Sequence, residues 1–282
     1  MNGSSHKKVH CAVYSALYNP WLDILINGQE KTWISEDLPK NLTVTHYHGI
    51  PIPKFFRIMD DLRSKLRFTN RWLDYLLRFF EYILFFPFIA IVPNAQISQR
   101  VDFRYDSIQI NFPDFFNTTR SKLLGVMKNF LNETSDDFLL LTTSSSYIVP
   151  SKLMELVDSL SDSDVIVGSM PYKDANFLSG SNILFSRNLV ERILQNRRSW
   201  DPTLLNDLGL GKLLKKMQVD LKSKPLKNIS SLEILQNTSD IELRDFYHFR
   251  LKSQQTLGSD KLRNDVAIFH ALHKRIMELK IY

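Results

Sequence analysis

The sequence predicts an α/β protein built on a mostly parallel sheet with helices on both faces. Two observations carry that prediction. Short β-rich apolar runs alternate with amphipathic helical stretches over most of the 282 residues, the pattern of successive strand–helix–strand units. The first run, Val9 to Leu17, is nearly continuous in apolar character, as a strand covered on both faces requires. Hydrophobic residues make up 44% of the chain and charged residues 23%. That supplies one large core, and residues 1–282 are expected to form a single domain.

The elements follow in order. Trp21 to Thr32 reads as a helix leading into Trp33. Leu42 to Tyr47 alternates as a second strand, closed by His48-Gly49 and by Pro51 and Pro53. Residues 54–92 are expected to form a helical insertion. There Arg57, Arg63, Lys65, Arg67, Arg71 and Arg78 are interleaved with Phe55, Phe56, Trp72, Leu76, Phe79 and Phe80. Such a segment either packs its apolar side on the domain or lies on an anionic membrane surface. Its most apolar part, Phe79 to Val92, is broken by Glu81 and Pro87 and is shorter than the ~20 residues of a membrane span.

Tyr105 to Ile110 reads as a strand. In the helix Thr118 to Leu131, Leu123, Leu124, Met127 and Leu131 share one face. Phe138 to Leu141 is a very apolar strand ending in Thr142-Thr143-Ser144-Ser145-Ser146. Pro150 opens the helix Ser151 to Leu160. Strands follow at Asp164 to Gly168 and at Phe177 to Phe185, the latter crossing Ser179-Gly180-Ser181. Helices are expected at Arg187 to Asn196, at Leu208 to Met217 and, within a helical C-terminal segment 253–282, at Leu262 to Leu279.

Charge and cysteine usage narrow the classes. A net charge of +6 suits an anionic partner, either a nucleotide diphosphate or an anionic membrane face, or is simply a solvated basic surface. No helix-turn-helix, RNP-type or zinc-finger signature occurs, so nucleic acid is not an expected partner. Cys11 is the one cysteine, which excludes an intrachain disulfide framework and favours a reducing compartment. The polar, basic stretch Met1 to His10 is followed by no apolar signal-peptide core. A cytoplasmic location is expected, peripheral at the inner face of a membrane if residues 54–92 engage one.

In parallel α/β sheets ligands gather at the carboxyl ends of the strands. Three polar clusters belong there: the serine run after Leu141, the loop around Asp207, and the segment around His248. Asp207 just before a helix reads equally as a helix cap. In a strand, His248 and Arg250 share a face, and Lys252 follows in phase.

Taken in order, these clusters resemble the fringe and β-1,3-galactosyltransferase group of enzymes and related bacterial and viral proteins. Asp114-Phe115-Phe116 and Lys122-Leu123-Leu124 fall in register with that group's Asp-Ser-Tyr segment and helix start, and Asn117-Thr118-Thr119 echoes its Asn-Leu-Thr. Phe177-Leu178-Ser179-Gly180-Ser181 through Arg187 is similar to its Ser-Gly-Ala-Gly-Tyr-x-Leu-Ser-Arg segment. Asn206-Asp207-Leu208-Gly209-Leu210-Gly211 resembles Asp-Asp-Val-x-Leu-Gly, and Phe246-Tyr247-His248-Phe249-Arg250 resembles its C-terminal Phe-His segment. The likeness covers roughly residues 100–252. Before that it adds Thr32-Trp33 and agreement of fold only.

The resemblance implies a GT-A-like, Rossmann-like sheet. It implies an inverting glycosyl transfer from a nucleotide-sugar donor, most often a UDP-sugar, to a glycan or lipid-linked glycan acceptor in surface polysaccharide or glycan synthesis. Asp207 would be the catalytic base. Donor contacts would come from Ser144, Ser145, Ser146, Gly180, His248, Arg250 and Lys122, and His248 would be the metal ligand of any bound Mn²⁺ or Mg²⁺. The departure is Ser144-Ser145-Ser146, which stands where the family carries its Asp-x-Asp metal motif. Serine hydroxyls are poor ligands for hard divalent cations, which puts the metal in doubt and keeps open a catalytically silent nucleotide-sugar or glycan-binding relative. Five residues keep second readings: the three serines as a polar turn, Gly180 as a β-bulge, and Lys122 as surface charge.

Overall fold

The computed structural model describes residues 7–35, 38–52, 106–114, 118–161, 165–172, 175–201, 204–257 and 262–282, with Ile58, Leu76 and Phe79. Apart from those three helical positions, the basic, aromatic segment 54–92 lies outside the described residues, as do residues 115–117 of the family-like stretch.

Seven strands form the main sheet: β1 (Val9–Tyr14), β2 (Leu42–Ile50), β3 (Ser107–Pro113), β4 (Phe138–Thr143), β6 (Ile166–Gly168), β7 (Asn182–Ser186) and β8 (Lys222–Ser223). Their order is β3-β2-β1-β4-β7-β6-β8. β3, β2, β1 and β4 pair in parallel, β7 runs against both β4 and β6, and β8 is parallel to β6. The expected mostly parallel α/β sheet is therefore present, with one reversed strand inside it.

Period-2 alternation splits each strand between two cores. Val9, Cys11, Val13, Phe138, Leu140 and Leu184 face one side. They meet Ile24, Leu25 and Trp33 together with Ile268, Phe269, Leu272 and Ile276 of the C-terminal helix α8 (Asp265–Glu278). Ala12, Leu139, Leu141, Ile183 and Phe185 face the other side. There they meet Leu123, Val126, Met127 and Phe130 of α2 (Thr119–Glu133) and Leu189, Val190 and Ile193 of α4 (Arg187–Gln195). Each fully covered aliphatic side chain contributes about 1.5–3 kcal/mol, so the two helical layers fix the sheet edge that carries the polar clusters.

A second, three-stranded sheet lies against the first core. It has the order β5 (Ser146–Ile148), β10 (His248–Arg250), β9 (Lys227–Asn228). β10 runs antiparallel to β5, with His248 opposite Ile148, Phe249 opposite Tyr147 and Arg250 opposite Ser146.

Local differences from the sequence expectations have local causes. Trp21 to Thr32 is not one α-helix: α1 (Trp21–Asp23) passes into a π-helical turn, Ile24–Gln29. Phe269 fills the space beside it, 3.0 Å from where a Cβ on Gly28 would stand. Phe177 to Ser181 is a loop rather than the start of a strand, because the Ser179 amide bonds the Ser169 carbonyl and the Asn182 amide turns back to Ser179. Leu262-Arg263 pairs with Thr256-Leu257, so α8 starts only at Asp265. The expected helices at 118–131, 151–160, 187–196 and 208–217 are present as α2, α3 (Pro150–Asp158), α4 and α5 (Asn206–Lys216). Among the described residues no helix is long and apolar enough to cross a membrane.

Candidate functional site

A cleft of about 480 Å³ opens at the carboxyl edge of the parallel strands. Tyr14 ends β1, and Leu141 and Thr143 end β4, and all three line the cleft. β7 runs the other way, so the loop before it, Phe177 and Ser179-Gly180-Ser181, arrives at the same edge. The first turns of α2 (Thr119, Arg120, Ser121) and α5 (Asn206, Asp207, Leu208) form two further walls, and Arg250 reaches in from β10.

Asp207 sits in the first turn of α5, but it is not the helix cap. That position belongs to Leu205, whose side chain makes no capping bond. The carboxylate instead crosses to the neighbouring loop, where the Gly180 amide donates to Oδ2 at 3.1 Å. A Cβ on residue 180 would come within 3.0 Å of Oδ1, so a glycine is what lets backbone and carboxylate meet. Burial raises the Asp207 carboxyl above the ordinary carboxylate range, against the lowering pull of the Gly180 amide and of the Arg250 charge. Arg250 is coupled back: burial lowers its guanidinium, Asp207 supports it, and Arg263 opposes it.

The other predicted site residues lie elsewhere. Ser144, Ser145 and Ser146 are buried and do not line the cleft. The Gln29 amide donates to the Thr143 and Ser146 carbonyls at 3.1 and 2.8 Å, the Ser145 carbonyl accepts from Leu251, and the Ser145 hydroxyl accepts from Arg263 at 3.3 Å. Arg263 is itself ion-paired to Asp265 and stacked 4.9 Å over Trp21. Lys122 is buried in an ion pair with Asp114, 5.4 Å from the Tyr14 ring centroid. His248 is 0% exposed. Burial and the nearby Arg250 lower its pKa to about 3, and neither ring nitrogen finds a hydrogen-bond partner among the described residues.

No protein-family model matches the chain, and no curated protein matches it either. Among the solved structures similar to it are two that carry a glycosyltransferase name. One is the mannosyltransferase PcManGT from Pyrobaculum calidifontis in complex with GDP-Man and Mn2+, at 13% identity and a TM-score of 0.45, covering 79% of this chain and 56% of that one. The other is the glycosyltransferase GlyE of Streptococcus pneumoniae TIGR4, at 8% identity and a TM-score of 0.47, covering 98% of this chain and 62% of that one. The chain spans less than two thirds of the length of either.

Among the described residues, the metal that the sequence resemblance implies finds no fitting set of side chains. Three buried serines stand at the motif position, His248 is outside the cleft lining, and among the described residues no three His, Cys, Asp or Glu side chains converge as a cation site.

Sequence reading missed the α2 wall of the cleft. Arg120 is half-buried there, 5.9 Å over the Trp200 ring, and donates to the Arg197 carbonyl at 3.1 Å. A signal for it does exist in the sequence. A cation in the first turn of a 15-residue helix opposes the macrodipole, and such a placement asks for an anion.

Proposed function

We propose that this chain is a glycosyltransferase that moves a sugar from a nucleotide-diphosphate donor to a hydroxyl acceptor, with Asp207 as general base. One observation carries the reading. A carboxylate made more basic by burial stands in a concave site beside a guanidinium, at the sheet edge where α/β proteins bind ligands. The two groups match the two demands of the reaction. As the acceptor oxygen attacks the anomeric carbon with inversion, Asp207 accepts its proton. The bond from that carbon to the diphosphate oxygen breaks, the electron pair leaves with the diphosphate, and Arg250 meets the charge that develops there. The serial motif agreement over residues 100–252 supports the same assignment. A UDP-sugar donor, a glycan or lipid-linked acceptor and a role in surface polysaccharide synthesis extend it.

The loss of the Asp-x-Asp motif favours a second reading, a catalytically silent nucleotide-sugar binder. Wild type and Asp207→Asn, screened against a panel of nucleotide sugars for binding and for turnover, separate the two. The enzyme reading expects equal donor binding by both proteins and turnover by wild type alone. Equal binding with no turnover by either protein supports the silent binder. Turnover by Asp207→Asn at the wild-type rate removes Asp207 from the mechanism.

A further inference from the structure

The chemistry of the site leaves a charge to be accounted for. A donor diphosphate brings two negative charges into the cleft, and the described residues do not assemble a divalent cation site to meet them. Two arginines do line the cleft, on different walls. Arg250 enters from β10 and Arg120 from the first turn of α2.

We infer that the diphosphate is held by Arg120 and Arg250 in place of a divalent metal. The inference rests on the glycosyltransferase reading and adds to it a cation that no motif assigns.

The charge arithmetic is consistent. The two guanidiniums contribute two positive charges and an ionised Asp207 removes one. The helices α2 and α5, of 15 and 11 residues, both point their N-termini at the cleft, each worth roughly half a positive charge. The sum is about two positive charges, which matches the diphosphate.

Arg120 is also built to stay where it is. It stacks on Trp200 and is tethered through one terminal nitrogen to the Arg197 carbonyl. Burial lowers its pKa while Asp201 holds the charged form. Asp201 also reaches Lys212 at 3.5 Å. Its position against the α2 macrodipole costs stability in the empty protein and is relieved when an anion arrives. Neighbouring cations are already committed: Lys122 to Asp114 and Arg263 to Asp265. Guanidiniums also bind phosphate oxygens two at a time, which a point charge does not.

The test is calorimetric binding of UDP, GDP, CDP, ADP and dTDP to the full chain in EDTA and again in Mn²⁺. Wild type, Arg120→Gln, Arg250→Gln and the exposed control Arg198→Gln are compared, with melting temperatures to confirm folding. Arg120→Lys serves as a second variant if Arg120→Gln folds poorly. The expected result is that at least one nucleotide binds in EDTA with an affinity Mn²⁺ leaves unchanged within about twofold. Each cleft variant then weakens binding about ten- to a hundredfold, and Arg198→Gln does not. Arg120→Lys falls between wild type and Arg120→Gln. Binding only in Mn²⁺ overturns the inference and leaves the glycosyltransferase reading standing. Binding in EDTA that Arg120→Gln does not weaken removes Arg120. No binding of any nucleotide in either condition overturns both.

Discussion

Two polar clusters sit next to each other at the carboxyl edge of the sheet and differ in almost every physical respect. In the cleft, Asp207, Gly180 and Arg250 are half-buried, electrostatically coupled and open to a cavity. At the small sheet and the turn leading into it, Ser144, Ser145, Ser146 and His248 are sealed, with exposures of 2%, 3%, 0% and 0%. One strand joins the two. Arg250 and His248 lie two residues apart on β10, yet only Arg250 lines the cleft. Sequence motifs gather groups into a neighbourhood, and it is burial that decides which of them can touch a ligand. In this neighbourhood the serines and the histidine are buried, and the aspartate and arginine face the cleft.

Substitutions can break this contrast. The largest effect is expected from Asp207→Asn, which should lower sugar transfer about a hundred- to ten-thousandfold with donor affinity little changed. Steady-state kinetics beside calorimetry reads both quantities. Arg250→Gln should weaken donor binding about ten- to a hundredfold. His248→Gln, from the sealed cluster, should leave donor affinity near wild type. Equal losses from the two substitutions would erase the contrast.

Gly180→Ala should lower turnover about ten- to a hundredfold, because the new methyl displaces the base it now touches. The pH profile gives a finer reading. Asp207 must be ionised to act, and its pKa is raised, so turnover should fall with acid at a pH above the ordinary carboxylate range. The Gly180 amide lowers that pKa. Weakening it in Gly180→Ala should move the acid limb higher still, an effect that a merely structural glycine would not produce.

The smallest effect concerns stability. The fold keeps His248 and His10 neutral, with pKa values of about 3 and about 4. The unfolded chain takes up these protons near pH 6.5. The unfolded state therefore binds more protons below that value, and stability is lost as pH falls from about 6.5 towards the folded values. At pH 5.5 the loss is roughly 1.4 kcal/mol per histidine, visible as a falling melting temperature. The slope should flatten in His248→Gln, while donor affinity measured at neutral pH stays as it was.

The sheet was legible in the sequence because burial on both faces demands nearly continuous apolar runs such as Val9 to Val13 and Phe138 to Leu141. The reversed direction of β7 was not, since its Ile183, Leu184 and Phe185 are buried as a parallel strand's would be. Asp207 stood out through its motif, but its carboxylate bonds an amide 27 residues earlier, and no local pattern encodes that. The burial of the serine run was not legible either. Its hydroxyls look available, yet Gln29 bonds the Ser146 carbonyl and Arg263 the Ser145 hydroxyl from distant parts of the chain. Arg120 carried a local signal, a positive charge at a helix start, that propensity reasoning overlooks.

The most direct test of the contrast is hydrogen–deuterium exchange with and without the nucleoside diphosphate that binds best. Residues 118–123, 178–182 and 204–210 should gain protection on binding, while 144–148 should show none beyond what burial already gives. Protection confined to 144–148, with the first turns of α2 and α5 unchanged, would contradict the assignment of the cleft as the donor site.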